Sequence, residues 1–150
     1  MASISSFEEL RSWKLSRELV KKFKLISRQG MFASDKILVD QMYRAAVSIM
    51  ANLAEGFERN GNKEFRQFAN VSKASSAEFR SHLYIAFDLE YITQTQFEEL
   101  YALSIDISKM ISGLITYLND TEMKGSKFKE DEAVYFTKAQ ERESAHDFEL

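Results

Sequence analysis

Apolar residues recur at helical spacing in four stretches of this chain, separated by short polar breaks. In the first, Leu15, Leu19, Phe23 and Ile26 lie four, four and three residues apart. That puts them on one face of a helix with 3.6 residues per turn. The spacing predicts a helix from about Glu8 to Arg28, with Gly30 as its stop. A second helix is expected after Ser34, read as its N-cap with acidic Asp35 behind it, and runs to about Arg59. Met42, Ala46, Ile49, Leu53 and Phe57 form its apolar face, which Val47, Ala51 and Ala54 widen on one side. Arg44, Ser48, Asn52, Glu55 and Arg59 then share a polar stripe only about 80° wide, so this helix should pack on more than one neighbour.

Asn60, Gly61 and Asn62 mark a turn, with Asn62 as the expected cap of a third helix running to about Glu90. Its inward face is Phe65, Phe68, Ala69, Phe79, Leu83, Ala86 and Phe87, with Ser72 and Ser76 letting a neighbour approach closely. Thr93 followed by Gln96 reads as a capping box that opens a fourth helix, ending near Asn119. Phe97, Leu100, Ser104, Ile107, Ile111, Ile115 and Leu118 point inward on it. The connections are short, which makes consecutive helices antiparallel neighbours. The expected fold is all-α: an up-down-up-down antiparallel four-helix bundle over residues 1–120. A charged C-terminal tail, mobile or partly helical across Glu130 to Arg142, fills residues 121–150.

Composition agrees with this picture. The chain of 150 residues has no Pro and only five Gly, so nothing interrupts long helices. It has no Cys, which excludes disulfides, thiolate metal sites and cysteine nucleophiles. The N-terminus lacks a basic region followed by an apolar run, and no run nears the roughly 20 apolar residues of a membrane span. A cytoplasmic protein without a membrane partner is expected. The net charge of −3 hides an asymmetry: residues 1–80 hold 14 Lys/Arg against 9 Asp/Glu, and residues 81–150 hold 6 against 14. Two halves of opposite sign can attract each other within a chain or between subunits.

Candidate chemistry is sparse. The two histidines, His82 and His146, share no helix face, and His82 lies to the side of its apolar face. Histidine-based zinc sites and the inward Glu-x-x-His pairs of di-iron bundles are therefore not expected. "AEGFERNGN" lacks the spacing and the Lys-Ser/Thr ending of a phosphate loop. No catalytic residue, metal or cofactor is predicted.

Two charged features are candidate contact sites. Lys14, Arg17, Lys21, Lys24 and Arg28 repeat at 3-4-3-4 spacing on one face of the first helix. Like charges at that spacing repel by a few tenths of a kcal/mol per pair, so the row gains nothing locally. It is a solvated face, a contact for nucleic-acid phosphates, or a dock for acids of another subunit, with Glu99 and Asp106 as candidates. No aromatic residue interleaves with these cations along the row, which argues against base stacking. The polar stripe of the second helix is a solvated face or a subunit contact, in which Arg44 and Glu55 would pair with another chain.

"FEELRSWKLSRELV", "DQMYRAAVSIMANLAEGFERNGNKEFRQFANVSKASSAEFRSHLYIA" and "YITQTQFEELYALSIDISKMISGLI" together resemble a bacterial four-helix-bundle family. That family includes proteins encoded in intervening sequences of 23S rRNA genes and the accessory variability determinant of diversity-generating retroelements. The resemblance covers about Phe7 to Leu118, and "RAAVSI-x-ANLAEGF…KEF" is its most specific part. It implies a bundle that assembles into a ring-like homopentamer without enzyme activity. In the retroelement branch it also implies binding of nucleic acid and of a reverse transcriptase through a basic surface. This chain departs from the family in having Met50 where Pro is frequent, a charge-balanced corner "ERNGNKE", and an acidic overall balance.

Overall fold

A computed structural model describes residues 4–121, and the sequence expectations for the tail fall outside that range. The described chain is all-helical. A 3-10 turn over Phe7–Glu9 leads into α1 (Arg11–Ser27), α2 (Gly30–Ser34), α3 (Lys36–Glu58), α4 (Asn62–Asp88) and α5 (Gln94–Asp120). The four long helices surround a single core: α1 packs on α3 and α5, and α4 packs on α3 and α5. Fully buried Phe23, Phe79, Met42, Ile49, Leu53, Leu83, Leu100 and Ile107 occupy its centre. Leu15, Ile26, Phe57, Phe97 and Ile115 pack at its margin. Three residues depart from the expected apolar faces: Ala51 of α3 is exposed, Phe68 of α4 is only half-buried with the Arg59 guanidinium 5.5 Å from its ring centroid, and the third is Phe87. It sits in the last turn of α4 against Phe97 of α5, with ring centroids 4.9 Å apart, and remains 36% exposed.

The short helix α2 is the element that the apolar spacing did not predict. α1 ends at Ser27, and Gly30 does not stop it but opens α2 with a φ of +52°, a left-handed value that favours glycine. This single turn buries Phe32 edge-on to Phe23 at 6.0 Å and stacked on Tyr91 at 5.5 Å. The cap of α3 is Asp35 rather than Ser34: its Oδ1 accepts from the Leu38 amide at 3.1 Å. Its Oδ2 accepts from the Tyr91 hydroxyl at 3.0 Å, which ties the α2–α3 corner to the α4–α5 corner. Asn62 also serves a distant partner. Gly61 holds the cap position of α4, while the Asn62 amide donates to the carbonyls of Leu118 and Thr121 at the end of α5. The Thr93–Gln96 capping box is formed in both directions, at 3.1 and 3.0 Å.

Helices α3 and α4 meet closely because the residues between them are small. Ser72 donates to the Ile49 carbonyl at 2.8 Å, and the hydroxyls of Ser48 and Ser75 lie 2.8 Å apart. At the upper end a Cβ on Gly56 would stand 2.7 Å from the Cβ of Phe68 and 2.8 Å from the Phe65 ring. Gly56 is thus required by close approach, not by backbone angle. These pairs advance along α3 as they recede along α4, so the two helices run in opposite directions. Pairs Ser76–Ser104 and Arg66–Asn119 show the same for α4 and α5.

Candidate functional site

The basic row lies where its spacing put it. Lys14, Arg17, Lys21 and Arg28 are exposed, and Lys24 is half-buried at the α3 side. None of the five has a carboxylate partner among the described residues. Two aromatic rings do lie beside them, one of them from another helix, where a row-by-row reading cannot see it. The Lys24 ammonium sits 4.3 Å over the ring of Tyr43 on α3, and the Arg17 guanidinium 5.8 Å from the ring of Trp13. The cations cover these rings rather than leaving them open for stacking.

The acidic candidates on α5 sit elsewhere. Glu99 accepts from Lys22 at 2.9 Å within the same chain, and this hydrogen bond, with the carboxylate's charge, raises the Lys22 pKa above its ordinary value. Asp106 is half-buried.

The polar stripe of α3 divides into a centre and two ends. At the centre, Asn52 donates to the Ser48 carbonyl at 2.8 Å and the Ser48 hydroxyl at 3.0 Å, and Ser48 meets Ser75. This part belongs to the α3–α4 seam. At the ends, Arg44 bonds Asp40 and Arg59 bonds Glu55, each at 3.0 Å along its own helix. Arg44, Glu55 and Arg59 stay exposed. Apolar residues accompany them on the same outer seam: Ile37 is 79% exposed, Val71 49% and Ile85 43%. The register set by the Ser48–Ser75 pair brings Ile37 opposite Ile85. His82 also lies on this side, its Nε2 3.5 Å from Glu78 and its buried Nδ1 without a partner among the described residues.

A second seam, between α4 and α5, was missed at the level of sequence. Arg80 Nη1 donates to the hydroxyls of Ser76 and Ser104, each at 3.0 Å, and these hydroxyls lie 3.2 Å apart. Below it Tyr84, Phe87, Phe97 and Tyr101 form one partly exposed aromatic cluster, with centroids 4.9 to 6.0 Å apart. A hydrogen bond with Tyr101 raises the Tyr84 phenol above its usual pKa. The available signal was the seven-residue spacing of Arg66, Lys73 and Arg80, which places three cations on one edge of α4.

No group of three or more His, Cys, Asp or Glu among the described residues is placed to hold a metal ion. No helix among them is long and apolar enough to cross a membrane.

An all-α chain of four long helices around one core, with charged and apolar stripes on its outer seams, defines a helical-bundle class. The chain belongs to the family described as 23S rRNA-intervening sequence protein, which matches residues 8–113. It is similar in structure to a crystal structure of a protein of unknown function from the S23 ribosomal protein family of Bacteroides thetaiotaomicron. The TM-score is 0.60 at 23% identity, over 69% of this chain and 94% of that one, and this likeness concerns the fold. No curated protein matches the chain.

Proposed function

We propose that this protein is a non-enzymatic, self-assembling helical bundle that acts in the cytoplasm as a scaffold or accessory protein. Its four long helices alternate up-down-up-down, and the assembled form is a ring-like homopentamer. The observation that carries the reading is the outer seam of α3 and α4. There Ile37, Val71 and Ile85 are exposed beside Arg44, Glu55 and Arg59. Apolar residues interleaved with charges are the composition of a subunit contact. Light scattering at tens of micromolar is expected to give five times the 17.4 kDa chain mass. Ile37→Asp with Ile85→Asp should shift the mass toward one chain. A wild-type monomer at that concentration would remove the assembly reading.

The basic face of α1 supports a second reading, RNA or DNA binding by Lys14, Arg17, Lys21, Lys24 and Arg28, with a reverse transcriptase as a further partner. What favours it is that all five cations lack a carboxylate partner among the described residues. If the five cations each contact a phosphate, the logarithm of affinity for structured RNA should fall with log salt at a slope of about −4. Absence of retention on filters at low salt sinks this reading.

A further inference from the structure

The α4–α5 groove has a distinctive order along its length. Its upper end opens beside Thr121, where α5 ends and the chain continues. Moving down, α4 presents Arg66, Lys73 and Arg80, and then the rings of Tyr84, Phe97 and Tyr101 follow. The contacts of Arg66 with Asn119, Arg80 with Ser104 and Tyr84 with Tyr101 fix this edge as the one that faces α5. None of the three cations has a carboxylate partner among the described residues. Arg80 is held by neutral groups, the Ser76 and Ser104 hydroxyls and the Ser104 carbonyl. A half-buried guanidinium bonded to serines keeps its charge uncompensated and favours an anion that can come to it.

The chain supplies such a segment. Beyond Thr121 the sequence holds eight Asp/Glu against five Lys/Arg, and Glu130, Asp131 and Glu132 are followed by Ala133, Val134, Tyr135 and Phe136. Within residues 130–136, which follow Lys124, Lys127, Phe128 and Lys129, acids come first and aromatic residues second, the same order in which the groove offers cations and then rings. The reach also fits. From Thr121 down to Ser104 is about 25 Å at the helical rise of 1.5 Å per residue. Nine extended residues from Thr121 to Glu130 span about 30 Å. We infer that residues 130–136 dock in the α4–α5 groove of their own chain. The acidic triplet pairs with Lys73 and Arg80, and the aromatic residues lie on the Tyr84–Phe97–Tyr101 cluster. The segment thereby covers apolar surface that would otherwise be open to a partner.

The natural chain has no cysteine, so a single introduced pair reports the contact. In the full-length protein, Ala77→Cys places a thiol on the exposed groove side of α4 between Lys73 and Arg80, and Ala133→Cys places one after the acidic triplet. Ala51→Cys with Ala133→Cys serves as the control, since Ala51 is exposed on α3. Under mild oxidation, the groove pair should form an intrachain disulfide at least about tenfold faster than the control, because docking raises the effective concentration. Adding Glu130→Lys, Asp131→Lys and Glu132→Lys, which leaves the bundle unaltered, should return the rate to that of the control. Equal rates for the two pairs, indifference to the charge reversal, or chain dimers on a denaturing gel would each overturn the proposal. Dimers would mean that the groove takes the segment of a second copy.

Discussion

The two sides of α4 are both lined with serine, and they solve different problems. Toward α3, Ser72 and Ser75 meet a carbonyl and another hydroxyl, and the seam closes tightly up to Gly56. Toward α5, Ser76 meets Ser104 in the same way, but the pair also holds Arg80. The first seam pairs its serines internally, and what it offers a second chain lies outside them, in exposed Ile37, Val71 and Ile85 and the charged ends of the α3 stripe. The second leaves a positive charge at its rim, above a shelf of aromatic rings. One residue type therefore supports pure packing on one side and a candidate contact on the other, depending on what stands opposite.

The strongest way to break the closed seam is to fill its narrowest point. Gly56→Ala would put a methyl group 2.7 Å from the Cβ of Phe68, an atom that cannot swing aside. Overpacking of this kind costs about 1–3 kcal/mol, against about 0.5–1 kcal/mol gained from better helix propensity. A lower urea midpoint with an unchanged m-value is expected. A variant as stable as the wild type would show that the α3–α4 seam is looser than the geometry indicates.

Much of this contrast could be read in the sequence, and the lost part has a physical cause. The Thr93–Gln96 box was legible because both bonds close within one turn. The apolar faces of α1, α3 and α5 were legible because burial follows helical period. Asn62 was misassigned because its partners lie 56 and 59 residues away, at the end of α5. Asp35, not Ser34, caps α3, because the Tyr91 hydroxyl and the Leu38 amide both use that carboxylate. Phe87 follows the inward period of α4, but in the last turn it meets the start of α5 rather than the core. Of the candidate sites, the α1 row was legible as charge spacing alone. That Tyr43 lies under Lys24, and that Ser48 and Asn52 serve a seam, are properties of neighbouring helices.

The serine pairs themselves sharpen the comparison. Ser76→Ala removes the hydroxyl that accepts from Arg80 and also bonds Ser104, leaving Arg80 with Ser104, so a loss of about 1.5–3 kcal/mol is expected. Ser48→Ala with Ser75→Ala removes both hydroxyls of a neutral pair, and the Asn52 amide loses the Ser48 hydroxyl but keeps the Ser48 carbonyl, so the cost should be no more than about 1 kcal/mol. Urea melts of the two variants side by side test the ranking. A larger loss for the neutral pair would invert the roles assigned to the two seams.

The smallest expected effect separates the seams by pH. The Tyr84 phenol, hydrogen-bonded to Tyr101, holds its proton above its ordinary value of 10.0. The folded chain then binds a proton that the unfolded chain has released. The contribution to stability is complete below pH 10.0 and disappears as pH rises through the higher folded value. Tyr91, held by Asp35 across the two corners, shifts in the same direction, and so does Lys22 beside Glu99. These three groups should therefore lower stability at alkaline pH. Tyr84→Phe should make that decline shallower by removing the one raised phenol on the α4–α5 seam, while Tyr91→Phe removes the one at the corners. The difference between the ultraviolet phenolate titration of each Tyr→Phe variant and that of the wild type isolates the step of the residue removed. An alkaline decline as steep in Tyr84→Phe as in the wild type would mean that the Tyr84–Tyr101 bond contributes nothing to holding the edge of α4 against α5.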